Sequence, residues 1–200
     1  MLTLITLATL FVVIILIKLI YRHNPHGHAH YGHEIILFHS DERYKKRVWR
    51  FNLIEEIKNV KNNGNIGEEL SLNMVVGELS EDTLEIIKLA ANHKFSLITI
   101  ISGNKVFCED KTEIYTLLDK YKNIKYFILP KRPTKHFMIF NKSHLYIEKP
   151  HRHNETRGSV GIKKCHQDLL KTYGYAFNEM LMCAIPITKE EVFNQECYQS

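Results

Sequence analysis

RPTKHFMIFNKSHLYIEKPHRHNETRGSVG, residues 132–161, contains two short runs of strand-forming residues, 136–140 and 144–149, separated by the polar turn Asn141-Lys142-Ser143. The turn sets the register of such a hairpin, because a slip of one residue sends every side chain to the opposite face. A three-residue loop places His136 opposite Glu148, and a two-residue loop places it opposite Lys149. A histidine–carboxylate pair is one of the two outcomes the sequence allows.

Upstream of the hairpin the apolar pattern alternates between two periods. Residues 72–76 form a run fit for a buried strand, and Ser80 is placed to cap a helix opened by Glu81 and Asp82, with Leu84, Ile87 and Ala91 on one face. Residues 96–101 read as a second strand. Residues 111–121 read as a helix with Ile114, Leu117, Leu118 and Tyr121 on one side, and 124–129 as a third strand. Short links between these elements predict right-handed crossovers and parallel neighbours. Residues 161–185 are expected to hold the last long helix, packed through Leu169, Leu170, Tyr173, Phe177, Leu181 and Met182. The expected fold class is α/β: an N-terminal transmembrane helix, then a mixed sheet of parallel β-α-β-α-β plus an antiparallel hairpin, with flanking helices.

In that topology the carboxyl ends of the parallel strands share one edge, where Gly77, Glu78, Ser102, Gly103 and Asn104 occur. The link at 130–135 reverses the chain there, so His136 begins its strand at that edge and the returning strand brings Glu148 and His151. Open α/β sheets bind ligands at such an edge. Backbone N–H groups at Ser102-Gly103-Asn104, and the capped helix start at Ser80, are fit to receive an anion. The candidate ligand-binding residues are Ser102, Gly103, Asn104, Arg132, His136, Glu148, His151, Arg157 and Ser159. Taken one at a time they have plainer readings: turn glycines, a hydrogen-bonded core histidine, an edge ion pair.

His136-Phe137-Met138, four residues, Ser143, and then Gly158-Ser159 resemble the phospholipase D superfamily motif H-x-K-x4-D followed by G-S. The resemblance spans roughly residues 70 to 185 and implies that superfamily's fold with a phosphate-sized crevice. It also implies a half-site, since a complete active site takes one motif from each of two half-domains or two subunits. In the superfamily the histidine takes up the phosphoryl group, the lysine binds phosphate and the aspartate supports the site. Carried over by position, the histidine is His136, but Met138 stands at the lysine position and Ser143 at the aspartate position. A thioether cannot replace an ammonium where negative charge must be held.

The amino terminus has a different character. Residues 2–20 contain no acidic residue and one base, Lys18, and at about 1.5 Å per residue they are long enough to cross a hydrocarbon core of about 30 Å. No small-x-small cleavage site follows, so a retained anchor is expected rather than a cleaved signal. Basic residues follow the apolar run and none precedes it, which predicts an outside amino terminus and a cytoplasmic domain. The expected division is an anchor at 1–21, a His-rich linker at 22–41, an amphipathic helix and linker at 42–66, the phospholipase D-like domain at 67–186 and a tail at 187–200. In the linker, His26, His28 and His30 are a metal-binding alternative to a plain spacer, without the cysteines or paired carboxylates of a closed site. In the helix, Val48, Phe51, Ile54, Ile57 and Val60 form the expected apolar stripe, with Lys45, Lys46, Arg47 and Arg50 turned toward lipid headgroups or solvent.

The four cysteines have no C-x-x-C spacing and read as free thiols. Net charge is +5, and residues 131–157 hold seven Lys or Arg against two Glu. That excess is small for nucleic-acid binding. The resulting expectation is a membrane-anchored, non-catalytic domain that binds an anionic small molecule, a nucleotide or a protein partner, with no cofactor. The alternative is a homodimeric phosphodiesterase or nuclease using a phosphohistidine at His136, with Lys135 or Lys142 standing in for the missing lysine.

Overall fold

One mixed sheet of eight strands organises the computed structural model, which describes residues 33–62, 69–103, 108–148 and 158–187. In chain order the elements are β1 (Glu34–Phe38), α1 (Arg43–Asn62), β2 (Ser71–Val76), α2 (Glu81–Asn92), β3 (Leu97–Gly103) and α3 (Cys108–Lys120). They continue with β4 (Ile124–Leu129), β5 (His136–Phe140), β6 (His144–Glu148), β7 (Ser159–Lys163), α4 (Gln167–Cys183) and β8 (Ile185–Pro186). The strand order is β1-β7-β6-β5-β2-β3-β4-β8. β2, β3 and β4 are parallel, and the other strands extend the sheet antiparallel on either side.

β2 and β3 read as mostly apolar runs because both of their faces are covered, whereas β4 leaves Lys125 exposed. Leu72, Met74, Ile98, Ile100 and Tyr126 pack with Leu53, Ile54, Leu84, Ile87, Ile114 and Leu117 of α1, α2 and α3. Val75, Ile101, Phe137, Ile139 and Leu145 face the other way, onto Leu170 and Phe177 of α4. Ser80 caps α2, its Oγ accepting the Thr83 N–H at 3.3 Å. The hairpin has the three-residue loop: Phe140 pairs with His144 and His136 with Glu148. Asn141 and Lys142 both adopt left-handed backbone, at φ 47° and 52°, a conformation asparagine accepts more readily than most residues.

Three strands were not legible. β1 lies in the stretch expected to be linker, β7 runs into the segment 161–185 expected to hold the last helix, and β8 is a two-residue pairing with β4. Each is short and completed by its neighbours. EIILF does not alternate, Ile35 and Leu37 remain 61% and 71% exposed, and only Ile36 and Phe38 turn inward. The stripe of α4 also differs: Leu169 and Met182 are exposed, while Leu170 and Phe177 are buried.

The stripe of α1 is turned from its expected position in a way that matters for the site. Trp49, Leu53, Ile54 and Ile57 are buried, Val60 is 60% exposed, and Lys46 and Arg50 are buried with the apolar residues at 8% and 5% exposure. These two cations face the interior of the protein. No helix among the described residues is long and apolar enough to cross a membrane. The expected span at 2–20, and His26, His28 and His30, lie outside the described residues.

His144 ties the hairpin to the turn after β7. Its Nδ1 accepts the Lys164 N–H at 3.1 Å, and burial lowers its pKa below the ordinary 6.5, with Glu56 opposing and Lys163 assisting. The unfolded chain therefore takes up this proton at a higher pH than the folded one. Stability falls as pH drops below about 6.5 and levels once the folded ring is also protonated. Urea unfolding of His144→Gln is expected to show a shallower loss of midpoint between about pH 7.5 and pH 5.5; an unchanged slope would contradict the assignment.

Candidate functional site

The chain reverses between β4 and β5 so that His136 starts its strand beside the end of β2. Val75 pairs with Phe137, which sets His136 level with Val76 and next to Gly77. A cavity of about 370 Å³ opens at this edge, lined from β2 and its following loop, the start of α2, the β5–β6 hairpin, Arg132 and the first two turns of α1. Gly77 permits the close packing. A Cβ there would lie 2.7 Å from His136 Cε1 and 2.9 Å from Arg132 Nε. Gly103 supports the next layer, where a Cβ would come 2.9 Å from the Gly77 carbonyl oxygen and 3.0 Å from Arg132 Cα.

A chain of polar groups sets the floor. His136 is 4% exposed. Its Nδ1 lies 3.8 Å from Glu148 Oε2, and its Nε2 donates to the Pro133 carbonyl at 3.2 Å. A carbonyl has no proton to give, so this nitrogen carries the hydrogen. Tyr146 OH donates to Glu148 Oε1 at 3.2 Å and lies 3.0 Å from Ser159 Oγ. Burial pushes the Tyr146 phenol well above its ordinary range, so it stays protonated and serves as a donor.

Charge comes mostly from a part of the chain outside the motif. The lining holds Arg43, Lys46, Arg50 and Arg132 against Glu78, Asp82 and Glu148. Arg43 Nε donates to Asp82 Oδ2 at 2.9 Å and Arg47 Nη1 lies 3.6 Å from Oδ1, so the Asp82 carboxylate is balanced within the wall. Arg132 Nη2 is 3.8 Å from Glu78 Oε2. The Arg50 guanidinium lies over the Tyr146 ring, 4.9 Å from its centroid. Lys46 Nζ donates to the Ser40 carbonyl at 3.1 Å.

Of the residues expected from sequence, Arg132, His136 and Glu148 meet in the cavity wall. Ser102 does not join them. It is fully buried, its hydroxyl 2.8 Å from Tyr126 OH, where the alternation of β3 directs it into the α1–α3 layer. Gly103 acts through the packing of Arg132, and Ser159 through Tyr146. Asn104, His151 and Arg157 lie outside the described residues. Neither substitute lysine reaches the cavity: Lys135 is exposed outside its lining, and Lys142 is in the turn at the far end of the hairpin. Ser143, at the aspartate position of the motif, is in that distal turn as well. Lys46, Arg50 and Tyr146 were missed. The available signal was the spacing of Lys46 and Arg50 with Trp49, Leu53, Ile54 and Ile57, which puts two cations on an apolar helical stripe. Among the described residues no group of three His, Cys, Asp or Glu is arranged to hold a metal ion.

No family model and no curated protein matches the sequence. Solved structures do match it. The chain is similar to Nuc, a phospholipase D family member from Salmonella typhimurium, at 10% identity and TM-score 0.58, over 78% of this chain and 99% of that one. It is similar to NucT from Helicobacter pylori at 15% identity and TM-score 0.55, again over 78% and 99%. The fold is phospholipase D-like.

Gly77→Ala is expected to displace the His136 ring and cost roughly 1–3 kcal/mol, the usual range for overpacking. Urea denaturation and the position of the His136 ring resonances check this. Unchanged stability with unmoved resonances would contradict the contact.

Proposed function

We propose that the domain is a non-catalytic phospholipase D-like module that holds a phosphate-bearing ligand in the cavity at the start of β5. It acts as a sensor or adaptor tethered to a membrane through residues 2–20, with the domain on the cytoplasmic side. The observation that carries the binding role is a cavity of about 370 Å³ beside His136 whose lining holds four cationic side chains against three carboxylates, with Lys46 and Arg50 buried in its wall; the volume is within the usual span of small-molecule sites. The loss of catalysis is supported by Met138 at the lysine position and by the hydrogen bond from His136 Nε2 to the Pro133 carbonyl, since a ring nitrogen that bears a hydrogen cannot attack. The tether is supported by the apolar run and by the basic residues that follow it.

A second reading, a phosphodiesterase built as a homodimer, draws on one observation: Glu148 lies beside His136 Nδ1, as a carboxylate that orients an imidazole must. The two readings separate in the same preparation. Calorimetric titration of the full-length protein in non-ionic detergent with adenosine monophosphate is expected to show binding that Arg132→Ala or His136→Ala weakens by about tenfold, the loss of one charge-assisted contact. Bis-p-nitrophenyl phosphate is expected to remain intact. Absence of binding to phosphate-bearing probes would remove the first reading, and turnover abolished by His136→Asn would establish the second.

A further inference from the structure

β5 puts an apolar side chain where the cavity most needs charge. Met138 follows His136 on the same face, is 3% exposed, and pairs across the hairpin with Tyr146. Neither a thioether nor a neutral phenol balances an anion. Helix α1 also lines the cavity, through Arg43, which pairs with Asp82, and through Lys46 and Arg50, which are buried.

We propose that Lys46 and Arg50 of α1 hold the phosphate group of the ligand, the helix supplying the positive charge that the strand lacks at Met138. The proposal rests on the phosphate-binding reading above and names the residues that perform it. The chemical class is a phosphate monoester or diester: a planar guanidinium fork and a compact ammonium together suit a tetrahedral group with several anionic oxygens.

Three observations carry it. The first is energetic. A buried cation is costly, and replacing buried ionic groups with well-packed apolar ones is often neutral or stabilising. On α1, Lys46 and Arg50 share a face with Trp49, Leu53, Ile54 and Ile57, at positions where an apolar residue would suit the fold. Burial is the main cause lowering the Lys46 pKa, with Glu148 acting against it; an anion in the cavity acts in the same direction as Glu148 and offsets the penalty.

The second is positional. Trp49 stacks on Tyr146 with ring centroids 6.0 Å apart and planes at 30°. It also packs closely on Gly161, where a Cβ would come 2.7 Å from Trp49 Cζ2 and 2.8 Å from Cε2. Gly161 pairs with Tyr146 across β6 and β7, so the missing side chain at 161 lets α1 approach the hairpin closely. Lys46 and Arg50 flank Trp49 in sequence and are carried down with it.

The third is orientation. Arg50 Nε donates to the Lys46 carbonyl at 3.2 Å and the guanidinium rests over Tyr146. The head group is therefore positioned by the fold before any ligand arrives, which lowers the ordering cost of binding.

The test uses the full-length protein in non-ionic detergent, titrated calorimetrically with inorganic phosphate and adenosine monophosphate, and separately in bilayers with and without phosphatidate. Lys46→Met is expected to weaken binding about tenfold or more, with a thermal midpoint equal to or above that of the parent. Lys46→Met/Met138→Lys, which returns an ammonium to the cavity from the strand, is expected to recover most of the affinity. Binding of the soluble probes identifies a free ligand, and binding confined to phosphatidate bilayers identifies a lipid headgroup; either supports the proposal. If Arg132→Ala weakens binding while Lys46→Met and Arg50→Met leave it unchanged, the proposal falls and the phosphate-binding reading stands. If the parent binds none of the probes, both fall. A lowered midpoint in Lys46→Met, without rescue by Met138→Lys, makes Lys46 a structural cation and overturns the proposal. Should Lys46→Met fail to fold, Lys46→Gln against Lys46→Arg reads the same contrast.

Discussion

The contact between Trp49 and the bare backbone at Gly161 governs how this domain is put together. An indole lying against one strand and stacked on Tyr146 of the next fixes how closely α1 packs on the antiparallel half of the sheet. That distance decides which α1 residues are buried. Since Lys46 and Arg50 share the Trp49 face, seating the ring also brings two cations to the cavity that begins at His136. Packing and electrostatics are set by the same contact. Close apolar fit supplies the rigidity that a buried charge requires.

The hairpin completes the site through a second constraint, the three-residue loop at 141–143. Its register puts His136 across from Glu148 and Met138 across from Tyr146. All four then face the α1 layer, while Phe137, Ile139 and Leu145 face α4. One strand pair therefore carries one row for the cavity, polar except at Met138, and an apolar row for the core behind it. Glycines 77 and 103 let the neighbouring turns close over that row. The phospholipase D-like fold provides the frame, and this chain equips it with charge from a helix at the amino-terminal side of the domain.

The parallel core was legible because its signals are local. Apolar runs at 72–76 and 124–129, the Ser80 cap and the periodic helices each report their own environment, and the structure has elements at those places. The meeting of Arg132, His136 and Glu148 followed from topology alone. What escaped were features whose cause lies elsewhere in the chain. β1, β7 and β8 are strands because of what they pair with, and Gly161 in the middle of β7 reads as a weak point until Trp49 is seen against it. From sequence Ser102 falls at the sheet edge, yet period-two alternation buries it against Tyr126. Sequence alone points Lys46 and Arg50 outward because charge ordinarily faces water, and only the position of α1 reverses that.

Side-chain nitrogen resonances of arginine, followed while the full-length protein is titrated with adenosine monophosphate, test the central claim most directly, namely that α1 and the hairpin form one anion site. Arg50 and Arg132 Nε–H signals and the Gly77 amide are predicted to shift together along a single saturating curve. Shifts confined to exposed lysines such as Lys131 and Lys142, with Arg50 unmoved, would contradict it.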